Sequence, residues 1–152
     1  MSNSEESRIL LSISDIWRRF DQVYSRWAEN HGFSTNAMSL LEELHNKPEG
    51  IEPAAVADYL GVPRQTMTST LDTLEARGII ERHSHPTDRR RKLIRLTAKG
   101  LTETDALIKE LYSWEMAALS TLPERERRRT FSAVSRFCKS LESTVSSNTG
   151  EK

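Results

Sequence analysis

The sequence predicts a mainly α-helical protein that carries one small β-hairpin. Apolar residues recur at helical spacing through most of the 152 residues, whereas the alternation typical of strands is confined to residues 79–82 and 92–96. Two predicted helices meet at Gly61 across a very short turn, and the hairpin directly follows the second of them. We therefore expect a helix-turn-helix with an attached hairpin, and further helices before and after it in the chain.

Two predicted helices precede the helix-turn-helix. The first covers residues 8–30, and Ser34 can cap a second that runs to about Asn46 and ends before Gly50. The first helix has a wide apolar face, formed by Ile9, Ile13, Ile16, Trp17, Phe20, Val23, Tyr24 and Trp27. A face of this width has to be covered by other apolar surface.

The helix-turn-helix consists of residues 53–60 and a second helix that starts at Pro63. Proline suits a first helical position, and Gly78 lies where this helix stops. The buried stripe is predicted to be Met67, Leu71 and Leu74. The opposite face near the N-terminus is polar and consists of Arg64, Gln65, Thr66, Thr68 and Ser69. Polar side chains at this place are typical of a recognition helix, which reads base edges in the major groove of DNA.

Basic side chains are concentrated in and around the hairpin. Residues 77–95 contain seven Arg or Lys and two acidic residues, a net charge of +5, in a chain whose formal charge is zero. The predicted turn, His83 to Arg91, forms the tip of the hairpin and includes three successive arginines. Because this charge directly follows a helix-turn-helix, it indicates phosphate binding, with a solvated basic loop as the alternative.

Two long helices follow the hairpin. One is predicted from Thr97 to about Leu119, and a capping-box pattern from Thr121 to Glu124 begins the other. The last helix has an apolar stripe opposite a basic face, and the stripe consists of Phe131, Val134, Phe137, Leu141 and Val145. In one small chain such stripes would stay in contact with water unless a second copy covered them, so we expect a symmetric dimer.

Residues 60–97 resemble the DNA-binding lobe of the MarR family of winged-helix transcriptional regulators. The hairpin, or wing, is similar to the family's D-x-R…L-T…G pattern through Asp88, Arg89, Arg90, Leu96, Thr97 and Gly100. The passage from recognition helix to strand also matches, at Leu71, Asp72, Leu74, Glu75, Gly78, Ile79, Ile80 and Arg82. The helices on both sides match in order, so the resemblance extends over about residues 8–146. Pro63, His83 and His85 depart from the pattern, so no DNA sequence preference is carried over.

The resemblance implies a winged helix-turn-helix lobe at residues 50–97 and a helical dimerisation region at residues 8–47 and 98–146, within one domain of residues 1–152. It implies a homodimer whose first and last two helices interleave and hold two recognition helices about one DNA turn apart, on the order of 34 Å. The expected interface consists of Ile9, Ile13, Phe131, Val134, Phe137 and Leu141.

The expected partner is double-stranded DNA with a palindromic operator. The recognition helix would enter the major groove and the wing the adjacent minor groove. The expected contacts are Arg64, Gln65, Thr66, Thr68 and Ser69 in the helix and Asp88, Arg89, Arg90 and Arg91 in the wing. Asp88 is interpreted as the residue that orients the Arg90 guanidinium, and a turn-forming aspartate is the alternative. A winged-helix adaptor for protein contacts, the second functional hypothesis, would be expected to lack the three arginines.

The resemblance also implies that the protein is a repressor and that a small aromatic effector releases it from DNA. The expected pocket is lined by Trp17, Phe20, Tyr24, Trp27, Met38 and Tyr112, with ordinary core aromatics as the alternative interpretation. No cofactor is expected.

The remaining motifs indicate neither an enzyme nor a metal protein. The chain has no G-x-S-x-G, P-loop, H-E-x-x-H or paired-cysteine motif. His83 and His85 lack a nearby third ligand, and Cys138 beside Phe137 is interpreted as structural in preference to redox-active. Because no apolar run approaches a membrane span and residues 1–8 lack signal-peptide features, we expect a cytoplasmic protein without membrane contact.

Overall fold

The computed structural model describes residues 3–88 and 90–149, which contain six helices and one two-stranded antiparallel hairpin. The predicted fold class, mainly α-helical with a small β-hairpin wing, is confirmed. In chain order the elements are α1 (Asn3–Asn30), α2 (Thr35–Asn46), α3 (Pro53–Leu60), α4 (Arg64–Ala76), β1 (Ile80–Ser84), β2 (Lys92–Leu96), α5 (Ala98–Ser120) and α6 (Glu124–Thr149). None of the helices in these ranges combines the length and apolar character needed to span a bilayer.

The chain divides into two compact units, Met1–Leu107 and Ile108–Lys152. In the first unit, α2, α3, α4 and the hairpin pack around a shared core. Its fully buried side chains include Leu40, Leu41, Leu44, Val56, Met67, Leu71, Leu74, Ile79, Ile80 and Ile94. Helix α2 begins as predicted, because the Ser34 hydroxyl accepts a hydrogen bond from the Ala37 N–H at 3.2 Å. The division into a DNA-binding lobe and a dimerisation region stays a prediction.

The two helices of the helix-turn-helix end at glycines, as predicted. Gly61 after α3 and Gly78 after α4 have φ angles of +64° and +67°, a conformation that glycine adopts without steric cost. The start of α4 differs by one residue from the prediction. Pro63 has ψ 139°, so it caps the helix from outside, and its carbonyl accepts the N–H of Met67 at 3.1 Å.

The wing is an antiparallel pair in which Ile80 lies opposite Leu96 and Ser84 opposite Lys92. Strand β1 extends two residues beyond the prediction, which places His83 in the strand. Ile51 forms an isolated antiparallel bridge with Ile94, because its N–H and carbonyl both bond to that residue, at 3.1 and 2.8 Å. The segment before α3 is thereby joined to the base of the wing.

Thr97 and Gly100 join the wing to α5. The Thr97 hydroxyl donates to the Gly78 carbonyl at 2.7 Å and accepts the Gly100 N–H at 2.9 Å, which caps the new helix. A Cβ atom on Gly100 would lie 1.9 Å from the Ile79 carbonyl oxygen. The L-T…G pattern therefore has a structural cause, since only glycine permits this close approach of helix and strand.

The second unit contains the rest of α5 and α6. Arg127 fastens the connection between them by donating from Nε to the Leu122 carbonyl at 2.7 Å. The predicted capping box is wrong. The Thr121 hydroxyl donates back to Ala118 at 2.7 Å, and α6 begins directly after Pro123, whose carbonyl accepts the N–H of Glu126 at 2.9 Å.

Candidate nucleic-acid interface

The first two turns of α4 present the predicted polar face to solvent. Met67 and Leu71, 1% and 2% exposed, anchor the opposite side of the helix in the core. The exposed side chains are those of Arg64, Gln65, Thr66, Thr68 and Ser69. The Thr68 hydroxyl donates to the Arg64 carbonyl at 2.9 Å, which leaves its oxygen able to accept a further hydrogen bond. This face has the shape and chemistry of a surface that reads base edges.

The arginines of the wing tip lie in different surroundings. Arg89 lies outside the described residues. Arg90 is exposed, and its backbone N–H donates to Asp88 Oδ1 at 2.9 Å. The N–H of Arg91 donates to the Asp88 carbonyl at 3.0 Å. These contacts match the turn-forming alternative for Asp88, and its role in orienting the Arg90 guanidinium stays a prediction.

Arg91 turns back from the tip toward α3. Its Nε donates to Glu52 Oε2 at 3.0 Å and its Nη2 to the other carboxylate oxygen, so the pair is bidentate. The hydrogen bond from Arg91 holds the pKa of Glu52 below its ordinary value, and the same bond raises the pKa of Arg91. The two residues are 39 positions apart in the chain, so no local pattern indicated the pair.

Two further basic side chains of the charged segment are also bound within the first unit. Arg82 of β1 bonds to Asp72 at 2.6 Å and to Glu75, both on α4. Arg95 of β2 donates to the Glu49 carbonyl at 2.9 Å. The net charge of +5 therefore overstates the positive charge available to a phosphate backbone.

Arg77, which ends α4, is bound in the same way. Its Nη1 donates to the Gly32 carbonyl at 2.7 Å, and its guanidinium lies over the Phe33 ring at 4.0 Å from the centroid. Its role is to tie α4 to the turn after α1.

The residues of the predicted effector pocket lie in different settings. Trp17, Phe20 and Tyr24 follow one another along α1, with 6.3 Å between the ring centroids of each successive pair. Trp17 and Phe20 are about half exposed, whereas Trp27 and Met38 are buried in the first unit. Tyr112 is exposed on the part of α5 that belongs to the second unit. The pocket stays a prediction.

The predicted dimer residues are largely exposed within each unit. On α1, Ile9 is 49% exposed and Ile13 half-buried. On α6 the whole predicted stripe is exposed, from Phe131 at 55% to Leu141 at 51%. Cys138 on the same helix is half-buried. The apolar faces thus exist in the form that the dimer hypothesis requires, and the interface itself stays a prediction.

The histidines of the wing have neighbours of their own. His83 Nε2 lies 2.9 Å from Glu81 Oε1, and His85 Nδ1 accepts the Thr87 N–H at 3.3 Å. Within residues 3–88 and 90–149, no group of three or more His, Cys, Asp or Glu side chains is placed to hold a metal ion.

Comparison with known proteins finds similar transcriptional regulators. A sequence profile described as the MarR family matches residues 31–91. The HTH-type transcriptional regulator PecS of Dickeya dadantii is 29% identical over 137 residues, which cover 89% of this chain and 78% of PecS. Its name describes a transcriptional regulator with a helix-turn-helix.

Two solved structures have a similar fold. The Staphylococcus aureus MepR–DNA complex superposes with a TM-score of 0.71 and 22% identity, covering 92% of this chain and 98% of MepR. PcaV of Streptomyces coelicolor, in complex with its natural ligand, superposes with a TM-score of 0.67 and 23% identity, covering 83% and 91%.

Proposed function

We propose that this chain is a member of the MarR family of winged-helix transcriptional regulators and that it acts as a homodimer on a palindromic operator in double-stranded DNA. The observation that carries the proposal is the exposed polar face of α4, which buried Met67 and Leu71 hold outward. A helix anchored in this way can enter the major groove without rearrangement of its core. That MepR has been solved bound to DNA supports the same conclusion.

The proposed base contacts come from the first two turns of α4. The Gln65 amide can pair with the donor and acceptor of adenine, and the hydroxyls of Thr66, Thr68 and Ser69 can bond to several base edges. Arg64 lies 3.6 Å from Asp58, and both side chains are more than two-thirds exposed. Since such exposed pairs are weak, Arg64 can exchange Asp58 for a phosphate or a guanine at little cost.

The wing is proposed to supply positive charge in the adjacent minor groove. Arg90 is exposed at the tip, and Lys92, two residues later, makes a hydrogen bond of 3.3 Å to the Ser84 hydroxyl. With Arg89, these residues would contact the backbone or the groove and so add affinity that depends on salt.

A second copy of the chain is proposed to cover the apolar faces of α1 and α6. Each face is exposed within its own unit, and each contains several large apolar side chains such as Ile9 and Phe131. Contiguous apolar surface of this kind usually marks an interface. A two-fold dimer would place two copies of α4 on successive half-sites of the operator.

A small aromatic effector is proposed to release the repressor from DNA. The successive rings of Trp17, Phe20 and Tyr24 offer flat apolar surface, and PcaV, which has a similar fold, has been solved with its natural ligand. A ligand acts only through different affinities for the DNA-binding and released states, so we expect a coupling of about 1 to 3 kcal/mol.

Selection of duplexes from a random DNA library tests the proposed function directly. The purified chain should enrich an inverted repeat whose half-sites lie about one helical turn apart. Its affinity for that duplex should fall with salt, by about 0.9 in the log–log slope for each phosphate contacted. Enrichment of no motif at either of two salt concentrations would contradict sequence-specific binding and favour the adaptor alternative.

Fluorescence titration tests the effector. A panel of aromatic carboxylates should include compounds that quench tryptophan emission and release a labelled operator duplex at the same concentration. In Trp17→Phe the quenching should be reduced, because about half of the Trp17 side chain is exposed on α1 and available to a ligand. A panel that changed neither signal would contradict the aromatic effector and leave the DNA proposal intact.

A further inference from the structure

We propose that Arg91 is not a phosphate contact but the residue that fixes the wing to α3, and that Glu52 is its positioning partner in DNA recognition. The inference rests on the proposed DNA-binding function. It assigns different roles to the neighbouring residues Arg90 and Arg91, which the sequence alone presents as equivalent.

The geometry of the pair is specific. Both oxygens of the Glu52 carboxylate accept hydrogen bonds from Arg91, one of them from Nε at 3.0 Å. Two parallel bonds between a planar guanidinium and a carboxylate determine orientation as well as distance. A single flexible contact would not restrict the wing in this way.

The Glu52 side chain holds Arg91 and does not cap the helix that follows it. It is the residue that caps α3, yet its side chain makes no capping hydrogen bond. Glutamate is not among the preferred capping residues. Its carboxylate is instead used to hold a residue 39 positions later in the chain.

The pair extends an attachment that begins at the base of the wing. Ile51 bonds to Ile94 through both backbone groups, and the Glu49 carbonyl accepts from Arg95 Nε at 2.9 Å. Arg91 lies just before β2, so its pairing with Glu52 carries the attachment from the base toward the tip. Segment 49–52 thereby holds the wing along one side.

The backbone of Arg91 also closes the turn at the tip. Its N–H donates to the Asp88 carbonyl at 3.0 Å, and its carbonyl accepts the His85 N–H at 3.0 Å. A fixed Arg91 therefore fixes the turn from which Arg90 projects into solvent. Because a wing that is already ordered loses less conformational entropy on docking, we expect the pair to strengthen DNA binding without touching DNA.

The pair is accessible enough that its removal should leave the protein folded. The side chains of Arg91 and Glu52 are 50% and 29% exposed. Exposed ion pairs contribute little to global stability, so changes in DNA binding can be separated from unfolding.

Salt titrations of variants test the assignment on the labelled duplex that the parent protein selects. Glu52→Gln and Arg91→Met should each weaken DNA binding about two- to fivefold. Because both remove the same interaction, the affinity of the double variant should be no lower than that of the single variant with the lower affinity. Glu49→Gln, which removes the same charge from the same segment, should bind at least as well as the parent. Arg91→Met should keep the parental salt slope, whereas Arg90→Ala should reduce it by about 0.9 per protomer.

Two results in these titrations would overturn the assignment. A loss of slope in Arg91→Met equal to that in Arg90→Ala would make Arg91 a phosphate contact. Tighter binding by Glu52→Gln than by Glu49→Gln would show that Glu52 withholds Arg91 from DNA and does not position the wing.

Trypsin digestion without DNA tests the attachment independently. The wing contains several cleavage sites around Arg90, and cleavage requires local opening. The wing of Glu52→Gln should be cut about two- to fivefold faster than that of Glu49→Gln, in line with the small energy of an exposed pair. Equal rates would overturn the attachment. If the parent bound no DNA, the proposed function would fail, while these rates would still decide whether Glu52 holds the wing.

Discussion

Gly100→Ala should destabilise the protein, although helix propensity alone predicts the opposite sign. Gly100 is the third residue of α5, and alanine in a helix is normally more favourable than glycine by about 1 kcal/mol. In this fold the added Cβ would lie 1.9 Å from the Ile79 carbonyl oxygen and 2.8 Å from its carbon. A carbon–oxygen contact needs about 3.3 Å, so α5 or the residue that precedes β1 would have to move by roughly 1.4 Å.

Such a movement disturbs the junction between the wing and α5. The Thr97 N–H donates to the same Ile79 carbonyl at 3.0 Å, and Ile79 and Ile80 are nearly fully buried. Overpacking of this kind costs about 1 to 3 kcal/mol, and a weakened hydrogen bond adds about 1 kcal/mol. After the gain in propensity is subtracted, we expect a net loss of about 1 to 3 kcal/mol.

Urea denaturation followed by circular dichroism measures this loss, with all variants at one protomer concentration because a dimer's stability depends on concentration. Thr102→Ala is the matched control, since Thr102 is exposed on the same helix and should change the free energy of unfolding by less than about 0.5 kcal/mol. A Gly100→Ala variant as stable as the parent, with an unchanged denaturant slope, would refute the close approach of α5 to Ile79.

Three further predictions follow from the interface, the dimer and the ion pair. Thr68→Ala should change the bases preferred in a repeated DNA selection, by about 1 to 3 kcal/mol per lost contact, and identical motifs for variant and parent would argue against base reading. Phe137→Asp should dissociate the dimer, because an unpaired charge in an interface costs several kcal/mol. Ser132→Asp, the control on the same helix, should leave the dimer intact. Light scattering measures both, and an intact Phe137→Asp dimer would exclude this part of α6 from the interface. Because Arg91 holds the pKa of Glu52 below its ordinary value of 4.5, the pair should persist as pH falls through 4.5 and be lost only at lower pH; a carboxyl carbon NMR titration with a midpoint at or above 4.5 would contradict the pairing.

Local chemistry explains why most of the elements were predictable. Gly61 and Gly78 end helices in a conformation that favours glycine, and Ser34 caps α2 with its own hydroxyl. The predicted helix starts were wrong where one residue can adopt either of two local structures. Pro63 can cap a helix or begin it, and Thr121 bonds back to the preceding helix instead of capping the next one.

The sequence by itself determined the helices, the wing and the polar face of α4, because helical periodicity places Met67 and Leu71 on one side and therefore Gln65 and Thr68 on the other. Only the tertiary structure decided how each basic side chain is used. Arg91 contacts Glu52 because the hairpin folds back against the start of α3. Neither the charge count nor the spacing of residues in the sequence predicts this contact. Exposed ion pairs contribute little to the free energy of folding, so they follow from the fold that brings the partners together and do not themselves determine it.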